Sequence, residues 1–166
     1  MSTRQNYVRG FSLIEVVVYI GIFMVVSVGS VLMLLTLQKQ VYQYRANQAL
    51  ARNAMSVMER LMLDIRSAGS LSAGTFGSSP GNMTLVNGTT TTAYGLSGGN
   101  VTVAVNGAAS AALNGTPVSV SSLKFDHFDN GVSEAVRATV IFQSTIGGVV
   151  VTETFTDTAV LLGSYD

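Results

Sequence analysis

The sequence predicts an α+β fold, in which one long N-terminal helix packs against a small C-terminal antiparallel β-sheet head. Three observations carry this expectation. Nothing from Phe11 to Ser67 breaks a helix, since both prolines lie beyond it. At Ser70 the composition shifts to Gly, Ser, Thr, Asn and Ala. From Val118 onward apolar and polar residues alternate, which is the period of a half-buried strand.

The helix begins as an apolar run from Gly10 to Leu37 with one ionisable side chain, Glu15. Val16 to Leu37 carries no charge at all and would span about 33 Å as a helix, enough for a bilayer core. A carboxylate in hydrocarbon costs about 2.5–3.5 kcal/mol and is retained mainly where it has a task, so Glu15 is the first functional candidate. A secretory signal peptide fits less well, because its apolar region runs only about 7–15 residues and ends in small residues of the Ala-x-Ala kind.

After Leu37 the hydrophobicity becomes periodic. Leu37, Val41, Tyr44, Gln48, Ala51, Met55, Met58, Met62 and Ile65 fall alternately four and three apart, the spacing of one helix face. Leu50, Ala54, Val57 and Leu61 widen that face, opposite a polar strip of Arg52, Ser56, Glu59, Arg60 and Asp64. A face this wide calls for cover from the head on one side and from neighbouring helices on the other. Gly69 is expected to end the helix in the left-handed conformation. The chain therefore divides into residues 1–10, an apolar helix over 11–37, an amphipathic stem over 38–68 and a β-rich head over 69–166.

In the head, Met83–Val86 and Thr92–Leu96 read as strands around Asn87-Gly88, followed by Asn100–Val105 with alternating valines. These short strands with weak turns suggest a variable surface region, and Asn106–Gly115 fits a loop or a weak strand equally. Val118–Phe128 has strand character with a phase slip at Ser121-Ser122 that indicates a bulge. Ala135–Thr145 and Val149–Phe155 form a hairpin about Ile146-Gly147-Gly148, with Val136, Ala138, Val140 and Phe142 facing Val149, Val151 and Phe155. A last short strand is expected over Ala159–Leu162.

Composition narrows the function classes. Only 11% of residues are charged while 48% are hydrophobic, a balance that suits an anchored or assembling chain better than a free one. The formal net charge of zero conceals a basic stem and an acidic head. Lys39, Arg45, Arg52, Arg60 and Arg66 outnumber Glu59 and Asp64 between residues 38 and 67; Lys124 and Arg137 are outnumbered by Asp126, Asp129, Glu134, Glu153, Asp157 and Asp166 beyond it. A basic stem with an acidic head favours neither broad nucleic-acid binding by the head nor its adhesion to anionic lipid. With no cysteine, neither a disulfide framework nor a thiolate site is possible. The single histidine, His127, has no partner histidine and no serine elbow motif, and reads as a surface strand residue. Asp126, Asp129 and Glu134 near Asn130-Gly131 could offer oxygen ligands to calcium, but their spacing is not that of an EF-hand, and a solvated turn is the simpler account. No metal or other cofactor is expected. Titratable groups are too few to suggest an enzyme.

The leader and the start of the apolar run, Arg9-Gly10 followed by Phe11-Ser12-Leu13-Ile14-Glu15-Val16, resemble the processing site of type IV prepilins and pseudopilins. That resemblance implies removal of residues 1–10 by a prepilin peptidase, cleavage between Gly10 and Phe11, and N-methylation of Phe11. It also implies an assembly role for Glu15 toward a neighbour's N-terminal ammonium, a cytoplasmic-membrane anchor with the N-terminus inside, and later incorporation into an extracellular filament or tip complex. The implied partners are other pilin or pseudopilin subunits and the pilus or secretion assembly platform; DNA is left open. A second phrase, Arg52-Asn53-Ala54 with Leu61, Asp64-Ile65-Arg66 and Ala68-Gly69, looks like the minor-subunit branch that includes PilW-like pilins and the J-type pseudopilins of type II secretion. Its helix-end residues Arg52, Asp64, Arg66 and Gly69 also have a plain structural account, as a surface ion pair, a cation at a helix C-terminus and a stop. The absence of proline around Ser30-Val31-Leu32-Met33 departs from major pilins and agrees with that branch. Alternatives are a secretion pseudopilin and an adhesive tip subunit that binds DNA or a surface.

Overall fold

The computed structural model describes residues 12–165, and the side chains only as far as Gly163. Residues 1–11, Gly10 and Phe11 at the expected cleavage point included, lie outside the described residues. A helix, α1 (Leu13–Ser67), is followed by β1 (Ser70–Thr75), β2 (Asn82–Asn87), β3 (Thr90–Ser97), β4 (Asn100–Val105), β5 (Ala111–Ala112), β6 (Val118–Asp129), β7 (Glu134–Ile146) and β8 (Val149–Val160), with a short 3-10 turn at Leu162–Tyr165. The chain divides into two compact units at Gln40/Val41, so the amphipathic part of α1 belongs with the strands.

The helix packs on two antiparallel sheets where the sequence suggested one: a five-stranded meander β1-β2-β3-β4-β5 and a three-stranded sheet β6-β7-β8. The meander forms because glycines permit tight reversals. Gly98 and Gly99 link β3 to β4, and Gly147 and Gly148 link β7 to β8; all four have positive φ, the signature of the two-residue turn that matches strand twist. Strand β1 was not anticipated in the sequence, since Ser70–Thr75 buries none of its residues and so carries no apolar pattern. The segment expected to be variable surface instead supplies Met83, Leu85, Tyr94 and Val101 to the core. Asn106–Gly115 is a loop holding the two-residue strand β5.

The three-stranded sheet follows the sequence closely. Register shifts between Val120 and Ser122, where the bulge was expected. Val136, Ala138, Val140 and Phe142 are all fully buried on one face of β7. Phe155 meets Phe142 edge-to-face at 5.7 Å between centroids. Residues Ala159 and Val160 extend β8 and do not form a separate strand. The outer edge of β6 is covered by the β1–β2 connection, where the Gly77 and Gly81 amides donate to the Phe125 and Leu123 carbonyls at 2.8 and 2.7 Å.

Helix α1 turns one side of its wide apolar face to the core and leaves the other side uncovered within the chain. Ala46, Leu50, Ala54, Val57, Leu61 and Ile65 form the buried line, with Met58 and Met62 at its margin. Tyr44 is 68% exposed, Met55 65% and Val41 48%, and Gln48 is exposed as well. Both sides of the face are apolar at helical spacing, and the sheets cover one of them. Gly69 does not take the left-handed conformation. The helix ends there because the Gly69 amide donates to the Val86 carbonyl at 2.8 Å, which starts the β1–β2 ladder.

The fold of the second unit rests on its own core and not on the apolar helix before it. A fragment beginning at about Gln38 is therefore expected to be soluble and cooperatively folded, with mixed helix and strand signals. Circular dichroism showing an almost wholly helical or a disordered fragment would contradict the architecture.

Candidate functional site

Two places on α1 hold the residues the sequence singles out. At its start, Ser12 precedes the first helical residue and its carbonyl accepts from the Glu15 amide at 3.0 Å. Ser12 and Glu15 thus stand at capping-box spacing, which suits a helix that begins at this point. The acidic side chain also lies in the first turn, where a carboxylate complements the helix dipole. Tyr19, one turn on, donates its hydroxyl to Glu15 Oε1 at 3.1 Å. Tyr19 was missed in the sequence reading, although its i+4 spacing from Glu15 was visible there.

Around this polar pair the helix is bare. Every described residue from Leu13 to Leu37 is exposed except Ser27, which is intermediate. The helix is long and apolar enough to cross a membrane, with a mean hydropathy of 2.5 in its apolar window and none of that window buried. Its inward-turning hydroxyls are satisfied locally, with Ser30 donating to the Val26 carbonyl at 2.8 Å and Thr36 to that of Leu32 at 3.0 Å. Such bonds within one helix let polar side chains reside in hydrocarbon.

At the other end, Asp64 is the centre of a small network. Arg60 Nε donates to Asp64 Oδ2 at 3.0 Å, the expected i,i+4 pair. Tyr94 of β3, which is buried, donates its hydroxyl to the same oxygen. Burial and the adjacent Asp64 carboxylate both push the Tyr94 hydroxyl well above its ordinary pKa. Hydrogen bonding to Asp64 likewise raises Arg60, which is already charged at any working pH. Together with Ser67, Ala68, Asn87 and Thr92, this pair lines a cleft of about 370 Å³. Arg66 lies in the last helical turn, and Arg52 is exposed. Beside Arg52, Asn53 accepts from the Gly115 amide at 2.8 Å through Oδ1, so the stem phrase is partly a head-docking element.

The acidic set near Asn130 does not converge. Among the described residues no three metal-ligating side chains cluster. Asp126 pairs with Lys124 at 2.9 Å, Asp129 Oδ1 accepts from the Gly131 amide at 2.7 Å, and Glu134 faces His127 at 3.8 Å. Within the single chain these acids engage separate neighbours, with Glu134 of β7 facing His127 of β6. His127 is half-buried and not a free surface residue, because Phe76 packs against its ring at 5.3 Å.

The Tyr94–Asp64 bond predicts a stability effect with a definite sign. A raised tyrosine pKa stabilises the fold fully below the unfolded value near 10, and that contribution is lost as pH rises further. Tyr94→Phe should cost about 1–2 kcal/mol at neutral pH, since it removes a hydrogen bond to a charged group. The gap between parent and variant should close above pH 10, as read by urea unfolding at a series of pH values. A gap that holds constant or widens there would contradict the assignment.

No curated protein and no solved structure matches this chain. A correspondence lies at the apolar end, over roughly a fifth of the length. There, residues 5–36 match the family described as the prokaryotic N-terminal methylation motif, and the segment so matched includes Gly10, Phe11, Glu15 and Tyr19.

Proposed function

We propose that this chain is a structural subunit of a type IV pilus-like filament or of the complex that initiates one, in the minor-pilin or pseudopilin class. In this reading a prepilin peptidase cuts between Gly10 and Phe11, and Phe11 is N-methylated. The mature chain is held in the cytoplasmic membrane by the apolar part of α1, with the head outside. It then leaves the bilayer and packs by that same helix among other subunits. The observation that carries the reading is the fully exposed apolar helix headed by Glu15 within a matched methylation motif. The phrase from Arg52 to Gly69 favours the PilW-like or J-type branch.

Glu15 gains its role from a change of surroundings. Before assembly its carboxylate sits in the first turn, exposed, with one oxygen accepting from Tyr19. Among packed apolar helices that single hydrogen bond would not compensate an ionised carboxylate, whereas a neighbour's N-methylated ammonium would. From Val16 to Leu37 no other charge could fix the axial register between adjacent helices. Glu15 is a register and recruitment device in this account, and contributes little to folding of the single chain.

Two variants test the proposal at different steps. Gly10→Val should leave an unprocessed, membrane-inserted precursor, because a Cβ and branch at that position obstruct the peptidase; a mature N-terminus at Phe11, seen by mass spectrometry, would overturn the processing site. Glu15→Leu should be inserted, cleaved and folded at normal levels and yet fail to join its assembly partners. Its co-purification with those partners at the parent's yield would remove the role given to Glu15.

A further inference from the structure

We propose that the tip of the β7–β8 hairpin is a second membrane contact, which rests the head on the lipid surface while the chain is anchored. The inference depends on the membrane-anchored reading above and adds to it a site in the head. It starts from Tyr42. This residue follows the last residue of the charge-free span, Leu37, by only five positions in the chain. Tyr42 and Tyr44, with Lys39 between them and the span, are the residue types that settle at the headgroup level.

The hairpin is seated on that tyrosine. A Cβ built on Gly147 would lie 2.7 Å from Tyr42 Cγ, so the turn touches the ring face with its backbone, and only glycine fits. Gly147 also has φ +58°, which a side chain would strain. Whatever depth Tyr42 reaches, the hairpin tip shares.

The tip is built for such a place. No ionisable residue occurs from Ala138 to Thr152, in a head that is otherwise acidic. Val150 is 54% exposed and pairs across the strands with exposed Thr145, while Ile146 and Val149 beside it are half-buried. Val41 and Tyr44 on the stem are exposed too. Lys39 and Arg45 add positive charge to the stem near Tyr42, which favours anionic headgroups. A small apolar tip seated on a tyrosine and free of ionisable residues fits the interfacial zone of a bilayer better than open water. The opposite turn of the same sheet, at Val132, lies about 40 Å away along β7 and is flanked by the acidic Asp129 and Glu134.

The chain has no tryptophan, so a single introduced one reports its own surroundings. Full-length protein is reconstituted in phosphatidylcholine–phosphatidylglycerol vesicles, with and without brominated acyl chains. Val150→Trp and, as a second probe of the same tip, Thr145→Trp should show blue-shifted emission that the bromines quench. Val132→Trp, subject to the same interfacial preference of the indole, should remain red-shifted and unquenched. Phe23→Trp inside the span reports anchoring itself. If Phe23→Trp is quenched while both tip probes are not, the hairpin contact is wrong and the anchor stands. A blue shift at the tip without bromine quenching means that protein and not lipid covers it, which also overturns the contact. Quenching of Val132→Trp to the same extent shows a head adsorbed without preference and overturns it equally. An unquenched Phe23→Trp removes the anchored reading, and the contact with it.

Discussion

Burial of one face of α1 is the constraint on which the rest of the head depends. Leu50, Leu61 and Ile65 are inaccessible to solvent, and they belong to a single apolar cluster with residues from both sheets. Each large aliphatic side chain so buried contributes about 1.5–3 kcal/mol. Neither sheet could bury its inner face alone, since one has short strands and the other only three. The helix is what makes two weak sheets into one core. Farther toward the N-terminus the same helix has no such cover within the chain, and its apolar surface has to be satisfied by lipid or by other helices.

Where the sheets meet, polar groups set the fit. Asn114 is buried, and its Oδ1 accepts from the Val101 amide at 2.8 Å while Nδ2 donates to the Val118 carbonyl at 2.8 Å and to Asn100 Oδ1 at 2.9 Å. One amide side chain thus ties β4 to the start of β6. Close by, the Val120 amide donates to the Gly99 carbonyl at 2.8 Å, joining the β3–β4 turn to the other sheet. A buried amide with all these partners satisfied specifies one arrangement, because any slip would leave donors and acceptors unpaired.

The end of the helix is fixed in a similar manner. Tyr94 reaches from β3 to Asp64, and Gly69 donates to β2. The C-terminal segment closes the same corner: the Gly163 amide donates to the Ala68 carbonyl at 3.3 Å, and a Cβ on Gly163 would fall 2.3 Å from the Gly69 carbonyl oxygen. A phrase legible in the sequence as a helix stop and a surface ion pair is therefore a junction of helix, meander and C-terminus. This gives Asp64 and Gly69 a structural duty independent of any partner.

The sequence by itself determined the long helix, the charge-free span with Glu15 at its head, the bulge in β6 and the alternating faces of β6, β7 and most of β8. These follow from local rules, because helix period, strand period and the absence of proline act over a few residues. It could not choose which of two apolar stripes on the stem is buried. Met55 and Leu50 are alike in hydrophobicity, and only the placement of the sheets decides that Leu50 is buried while Met55 stays 65% exposed. Nor did it show that Ser70–Thr75 is a strand, since that edge is held by backbone pairing to β2 and only Leu71 is even half-buried. The Tyr94–Asp64 bond, the Asn114 hub and the seating of Gly147 on Tyr42 join positions far apart in sequence. Pairings of that kind leave no local pattern, and the tertiary structure alone decides them.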